Sequence, residues 1–130
     1  MNLDDDDTVD ELPARPQKVI PTADRELLDL AARALGAVHI EDVDGEEWLN
    51  LHFEDGSTIY HWNPLLHGDD ALELAVRRKL SIDVTEDAVC VIAGDNEHVV
   101  IEKGVGAALL PATRLAIARA AAEIGKGIAC

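Results

Sequence analysis

A chain of 130 residues with 48% apolar side chains has room for one domain and enough apolar surface to fold without a disulfide or metal staple. Its 26 acids against 11 Lys and Arg leave a net charge of −15, the wrong sign for neutralising phosphates, which excludes direct nucleic-acid binding. No run reaches the ~18–20 consecutive apolar residues of a membrane span, the first residues carry acids where a secretory signal carries Lys or Arg, and Cys90 and Cys130 form no disulfide framework, so the expectation is a cytoplasmic protein without a membrane contact.

Residues 1–20 combine the run Asp4–Asp7 with Pro13 and Pro16 and show no apolar periodicity, the composition of a disordered acidic tail. Residues 21–130 then read as a single α+β domain. The first helix starts after Pro21 with Thr22 as N-cap and Asp24 and Glu26 in the first turn. Leu27, Leu28, Ala31, Ala34 and Leu35 share a face, and Gly36 ends the helix in the left-handed conformation open to glycine.

Three strands follow, joined by Asp44-Gly45 and Asp55-Gly56, the dipeptides suited to two-residue type I′ turns. Those turns set Asp42 opposite Glu47, Ile40 opposite Leu49, Val38 opposite Leu51, Phe53 opposite Thr58, Leu51 opposite Tyr60 and Leu49 opposite Trp62. Val38, Ile40, Leu49, Leu51, Phe53, Tyr60 and Trp62 then form one core surface. The same register lays His39, Asn50 and His61 in a row across the opposite face, with His52 diagonal to it. Such a row is a candidate polar or metal site; the presence of Asn50 at its centre and the four convergent ligands of most structural zinc sites favour a solvated face without a cofactor.

Asn63-Pro64 stops the third strand, because Pro64 cannot donate to a ladder. A second helix follows, capped by Asp69 or Asp70 with Glu73 in a capping-box position, and its expected buried face is Leu72, Ala75, Val76 and Leu80. Arg77-Arg78-Lys79 reads either as a phosphate-binding cluster or as cations at the negative end of the helix dipole, the simpler explanation. Ser81–Val84, Ala88–Ala93 and His98–Glu102 suit further strands, with Val89, Val91, Val99 and Ile101 opposed to Cys90 and Ile92, and with a turn at Gly94-Asp95-Asn96. Cys90, among acids rather than cations, reads as a small core residue and not as a catalytic thiol. Gly104-Val105-Gly106 is a joint too short for a dinucleotide fingerprint. A last, Ala-rich helix runs from Pro111 to Gly125, with Leu115, Ala118, Ala122 and Ile124 toward the core, and leaves Cys130 in a frayed tail. The expected fold is therefore a helix, a three-stranded antiparallel meander, a helix, two or three further strands and a C-terminal helix, the helices covering one face of an antiparallel sheet.

Charge is unevenly placed. From Gly36 to Asp70 there are nine acids and no Lys or Arg, and seven of them, Glu41, Asp42, Asp44, Glu46, Glu47, Glu54 and Asp55, make a candidate acidic interaction surface on the meander.

Three blocks, Asp24-Arg25-Glu26-Leu27-Leu28, Trp62-Asn63-Pro64-Leu65 with Asp70-Ala71-Leu72-Glu73-Leu74-Ala75-Val76, and Ala112-Thr113-Arg114 through Glu123-Ile124-Gly125, occur in an order that resembles the small uncharacterised proteins carried by phages and prophages of Gram-negative bacteria. The resemblance covers residues 21–130 and implies phage origin and the host cytoplasm, without catalytic residues. Three classes of function stand on the residues. One is a non-catalytic accessory protein that binds a host or phage protein, with imitation of a phosphate backbone at a basic groove as one mode. Another is a structural or regulatory homodimer joined through the Ala-rich helix or a sheet edge. The last is an enzyme or metal protein using His39, His52 and His61, which lacks any nucleophile elbow, Walker loop, Cys-x-x-Cys or zincin motif to support it.

Overall fold

The computed structural model describes residues 20–93 and 98–129. The acidic tail as far as Val19, the Gly94-Asp95-Asn96 turn and Cys130 lie outside the described residues. The element order is α1 (Thr22–Leu35), β1 (Ala37–Asp42), β2 (Leu49–Phe53), β3 (Thr58–Trp62), α2 (Gly68–Arg77), β4 (Ser81–Val84), β5 (Ala88–Ile92), β6 (Val99–Lys103), a 3-10 turn (Gly106–Ala108) and α3 (Leu109–Ala129). This is the expected α+β fold, with its strands divided between two antiparallel sheets, β1-β2-β3 and β4-β5-β6.

The two long helices pack most extensively on each other. Gly125 explains how they come so close: a Cβ built there would lie 1.9 Å from the carbonyl oxygen of Leu30, so only hydrogen fits. The sequence suggested Gly125 as a helix stop; it lies instead inside α3, where the lack of a side chain serves the crossing. Alanines at 112, 116, 118, 120, 121 and 122 are buried with Ile117; of the residues expected toward the core, Ala118 and Ala122 are buried and Leu115 and Ile124 are half-buried. An alanine helix this thoroughly covered has neighbours on several sides: α1, α2, β5 and β6 all pack on α3.

Local departures from expectation have identifiable causes. Thr22 does not cap α1; it is the first helical residue, and extended Pro21 at the N-cap supplies the carbonyl that accepts Arg25 N–H at 2.8 Å. Gly36 does end α1 with φ +101°. In α2 neither Asp69 nor Asp70 caps through its side chain; His67 is the N-cap, and Asp70 turns inward to accept the Asn63 N–H at 2.9 Å. The helix is thereby rolled so that Ala71, Leu74 and Ala75 are buried, while Leu72 and Val76, predicted inside, are exposed.

The β4-β5-β6 ladder is unbroken. Its register pairs Val91 with Val100 and Val89 with Glu102, and Cys90 with Ile101 and Ile92 with Val99. Val89, Val91 and Val100 are buried, whereas Val99 and Ile101 stand with Cys90 and Ile92 on the outer face, not with Val89 and Val91 as expected. One residue of register through the β5–β6 connection reverses the whole strand.

Candidate functional site

The first sheet carries the residues that the sequence singled out, and its register differs from the expected one. Ile40 pairs with Leu51, Asp42 with Leu49, and His39 with His52. The β1–β2 connection therefore spans residues 43–48, not a two-residue turn. Only the glycine of each Asp-Gly pair has positive φ, +75° at Gly45 and +89° at Gly56, whereas a type I′ turn requires it at both central residues. Asp55 instead accepts hydrogen bonds from the Ser57 N–H at 2.9 Å and the Ser57 hydroxyl at 2.6 Å, and Gly56 N–H closes on the Phe53 carbonyl at 3.0 Å. The result is a three-residue loop with a left-handed glycine at its end.

Two irregularities then change which side chains face out. One lies between Ala37 and His39, the other between Leu49 and Leu51 where β3 passes them. Leu49 still meets Trp62, but Leu51 meets Ile59, not Tyr60. Ile59 consequently turns toward the core and Tyr60 is 67% exposed; at the other irregularity Ala37 goes in and Val38 is 58% exposed. His61 absorbs the change with φ +58°, a left-handed conformation that costs an L-residue roughly 1–2 kcal/mol. Tyr60 and Val38 were expected in the core; strict alternation fails wherever a bulge inserts a residue.

The outer face closes on itself by hydrogen bonding. His52 Nε2 lies 2.9 Å from Glu41 Oε1, and its Nδ1 lies 3.3 Å from the Thr58 hydroxyl. The His39 ring sits over His52 at 5.4 Å. Asn50 Oδ1 accepts the His61 backbone N–H at 3.2 Å. Hydrogen bonding to His52, and next to Asn50, holds the Glu41 carboxyl below the ordinary glutamate range. His39, Asn50 and His52 thus share one face, with His39 opposing His52 and Asn50 opposing Glu41, whereas the His61 ring lies 5.1 Å from that of Trp48; among the described residues no three His, Cys, Asp or Glu side chains converge as metal ligands. Sequence reasoning missed Glu41 and Thr58 as partners of His52, and Tyr60 as a member of this face.

The seven acids divide. Asp42, Asp44, Glu46 and Glu47 gather with Glu41 at the β1–β2 end, and Glu54 and Asp55 occupy the β2–β3 turn at the other end of β2, about 14 Å away at ~3.4 Å per residue. Asp42 is bound to Arg25 at 2.8 Å, beside a shallow pocket of about 210 Å³ that Asp44, Glu46 and Trp48 also line.

Beneath the face lies the support. Trp62 is fully buried, and the adjacent Asn63, 3% exposed, satisfies itself on every side. Its side-chain amide donates to the Glu47 carbonyl, its Oδ1 accepts Leu65 N–H at 2.9 Å, and its carbonyl accepts Leu66 and His67 N–H groups. Arg114 of α3 donates to the Leu65 carbonyl at 2.9 Å, tying this corner to the last helix. Burial pushes the Asp70 carboxyl up, with the Asn63 N–H acting in the opposite direction. No protein-family model, curated protein or solved structure matches this chain.

Proposed function

We propose that this is a non-catalytic accessory protein, phage-encoded and acting in the host cytoplasm, that works by occupying a basic surface on another protein with the outer face of β1-β2-β3. The observation that carries the reading is Tyr60. Simple alternation would have placed it in the core; a bulge with His61 in a strained conformation turns it outward, two residues along β3 from Thr58. Backbone strain held in place by a buried neighbour such as Trp62 is characteristic of positions that serve recognition, and an exposed tyrosine is a typical interface anchor. Glu41 on this face and the acids at the two ends of β2 select a cationic partner, and a nucleic-acid-binding protein whose groove is basic is the partner class they suit best.

The test places a photo-crosslinking amino acid at Tyr60 and identifies what is captured in the host, with the same substitution at Ile101 on the other sheet as control. Capture of one protein from position 60, weakened by ~0.5 M salt and lost in Tyr60→Ala with unchanged melting, supports the reading. Capture that is equal from both positions, or indifferent to Tyr60→Ala, would sink it.

A second reading rests on the other sheet. Val99 and Ile101, more than half exposed, adjoin Cys90 and Ile92 on the outer face of β4-β5-β6, which suits a homodimer; the alanines of α3 are consumed within the chain and do not. Light scattering at two concentrations in ~0.5 M salt, which relieves repulsion between two strongly acidic copies, separates monomer from dimer.

A further inference from the structure

Two adjacent cations at the end of α2 lack an ion pair with any described residue, a property they share only with Lys103 and Arg114 among the described Lys and Arg, and Arg114 is held by the Leu65 carbonyl. Arg25, Arg33, Arg77, Arg119 and Lys126 are all held by carboxylates of their own chain. Arg78 and Lys79 form no ion pair with any described residue, although the chain carries 26 acids. Both line a cleft of about 420 Å³ together with Ala93, His98, Glu123, Ile124 and Gly127. Glu123, the one acid among the described residues that line it, accepts a hydrogen bond from Lys126 at 2.8 Å, and that bond is the first cause of its lowered pKa.

Two local features show that the cations are not merely ornamenting a helix end. Arg78 is half-buried and its Nε is cut off from solvent without a hydrogen-bond partner, a cost that a freely solvated arginine does not carry. Lys79 occupies the residue after the α2 C-cap with φ +56°, while Lys79 N–H bonds the Val76 carbonyl at 3.3 Å and Leu80 N–H bonds the Ala75 carbonyl at 2.8 Å. This is the pairing of a Schellman motif, in which the left-handed position is ordinarily glycine. Here it holds an exposed lysine that lines the cleft, at the expense of backbone strain.

We infer that the cleft formed by Arg78, Lys79 and His98 is a binding site for an oxyanion, a phosphate or carboxylate group. A planar guanidinium presents paired donors to two oxygens of such a group, an ammonium adds a point charge, and an imidazole adds a third donor. The site is remote in sequence from β1-β2-β3 and is independent of the function proposed for that sheet.

The experiment titrates the ¹⁵N-labelled full chain with sodium phosphate and, separately, sodium acetate, at constant ionic strength made up with sodium chloride. The expected result is saturable movement of the Arg78, Lys79 and His98 amides with an apparent Kd of about 1 mM or tighter, weakened at least ~10-fold in Arg78→Gln and in Lys79→Asn. Asparagine tolerates the left-handed backbone, so Lys79→Asn tests the charge even if Arg78→Gln fails to fold. Saturation by phosphate alone assigns a phosphate group, and saturation by acetate as well assigns a carboxylate. Shifts that stay linear with both salts, or that saturate unchanged in Lys79→Asn, overturn the site.

Discussion

The two sheets are the same size and the same topology, three antiparallel strands each, and they are built on opposite terms. The β4-β5-β6 ladder runs without a break, buries Val89, Val91 and Val100, and turns Cys90, Ile92, Val99 and Ile101 outward between Ser81 and Asp83 on one side and Lys103 at the end, an apolar strip on a regular scaffold. The β1-β2-β3 ladder is broken twice, holds His61 in a left-handed conformation, and presents an outer face of imidazoles, carboxylate, amide and hydroxyl already bonded to one another. Regularity goes with packing, and irregularity goes with the face proposed to bind. A bulge shifts side chains between faces locally, so it can add Tyr60 to the surface without removing Trp62 from the core.

The largest test of this contrast is on the buried side of the irregular sheet. Trp62→Ala empties a fully enclosed site and should cost about 3–5 kcal/mol, enough to unfold much of the population, read by urea denaturation. Tyr60→Ala, two residues earlier, should change stability by less than about 0.5 kcal/mol, because the ring lies outside. Similar losses from both would mean that the bulge does not separate core from surface. Next in size is the helix seam between the two sheets, α1 packing on β1 and α3 on β5 and β6. Gly125→Ala drives a methyl into the Leu30 carbonyl and should cost about 2–3 kcal/mol in the same assay, while Gly127→Ala, with open space around it, should be neutral or gain up to about 1 kcal/mol in helix propensity.

The strain itself can be read with one type of substitution made in both sheets. His61→Gly removes a left-handed penalty of roughly 1 kcal/mol and should leave stability unchanged or slightly higher. Cys90→Gly in the regular strand should lower it by about 0.5–1 kcal/mol or more, since a strand interior gains nothing from glycine. Thermal melts of the two variants that moved in the same direction would remove the claim that β3 stores strain.

The failures of sequence reading follow the same line. The order of elements, Gly36 as a helix stop, the pairing of Leu49 with Trp62 and the Asn63-Pro64 break were legible, because each rests on a local residue preference or on strong apolar alternation. The outward turn of Tyr60 and Val38 was not, because a bulge leaves no mark in an alternating pattern. Nor was the outward turn of Val99 and Ile101, which depends on the register carried through a connection and not on the strands. For the site, His39, Asn50 and His52 lie on one face, whereas the His61 ring packs on Trp48, and the Glu41–His52–Thr58 chain required a β1–β2 register two residues, and a β2–β3 register one residue, away from those the Asp-Gly turns suggested. The Arg78 and Lys79 cleft had a sequence signal, three adjacent cations, but their separation into a paired Arg77 and two residues without ion pairs among the described residues is a property of the folded helix end.

The smallest effects concern two carboxyls of the first sheet and its support, and they have opposite signs. Glu41 is held below its ordinary value by His52 and Asn50, so its bonds add stability above the unfolded glutamate pKa, about 4.3, and that contribution is lost as pH falls through the lower folded value. Asp70 is raised by burial, so the folded state favours its proton; its contribution is fullest below the unfolded aspartate pKa, about 3.9, and is lost as pH rises through the higher folded value. Carboxyl ¹³C titration should therefore find Glu41 below and Asp70 above those references. His52→Gln, which takes away the imidazole partner, should move Glu41 up toward the ordinary value and leave Asp70 where it is. Asp70→Asn should keep an acceptor for the Asn63 N–H while abolishing the part of the stability profile that declines with rising pH, so that the variant gains on the wild type at pH 7 relative to pH 3. If His52→Gln left the Glu41 midpoint unmoved, the hydrogen-bonded chain across the outer face would not exist in solution, and Tyr60 would stand on a merely solvated sheet.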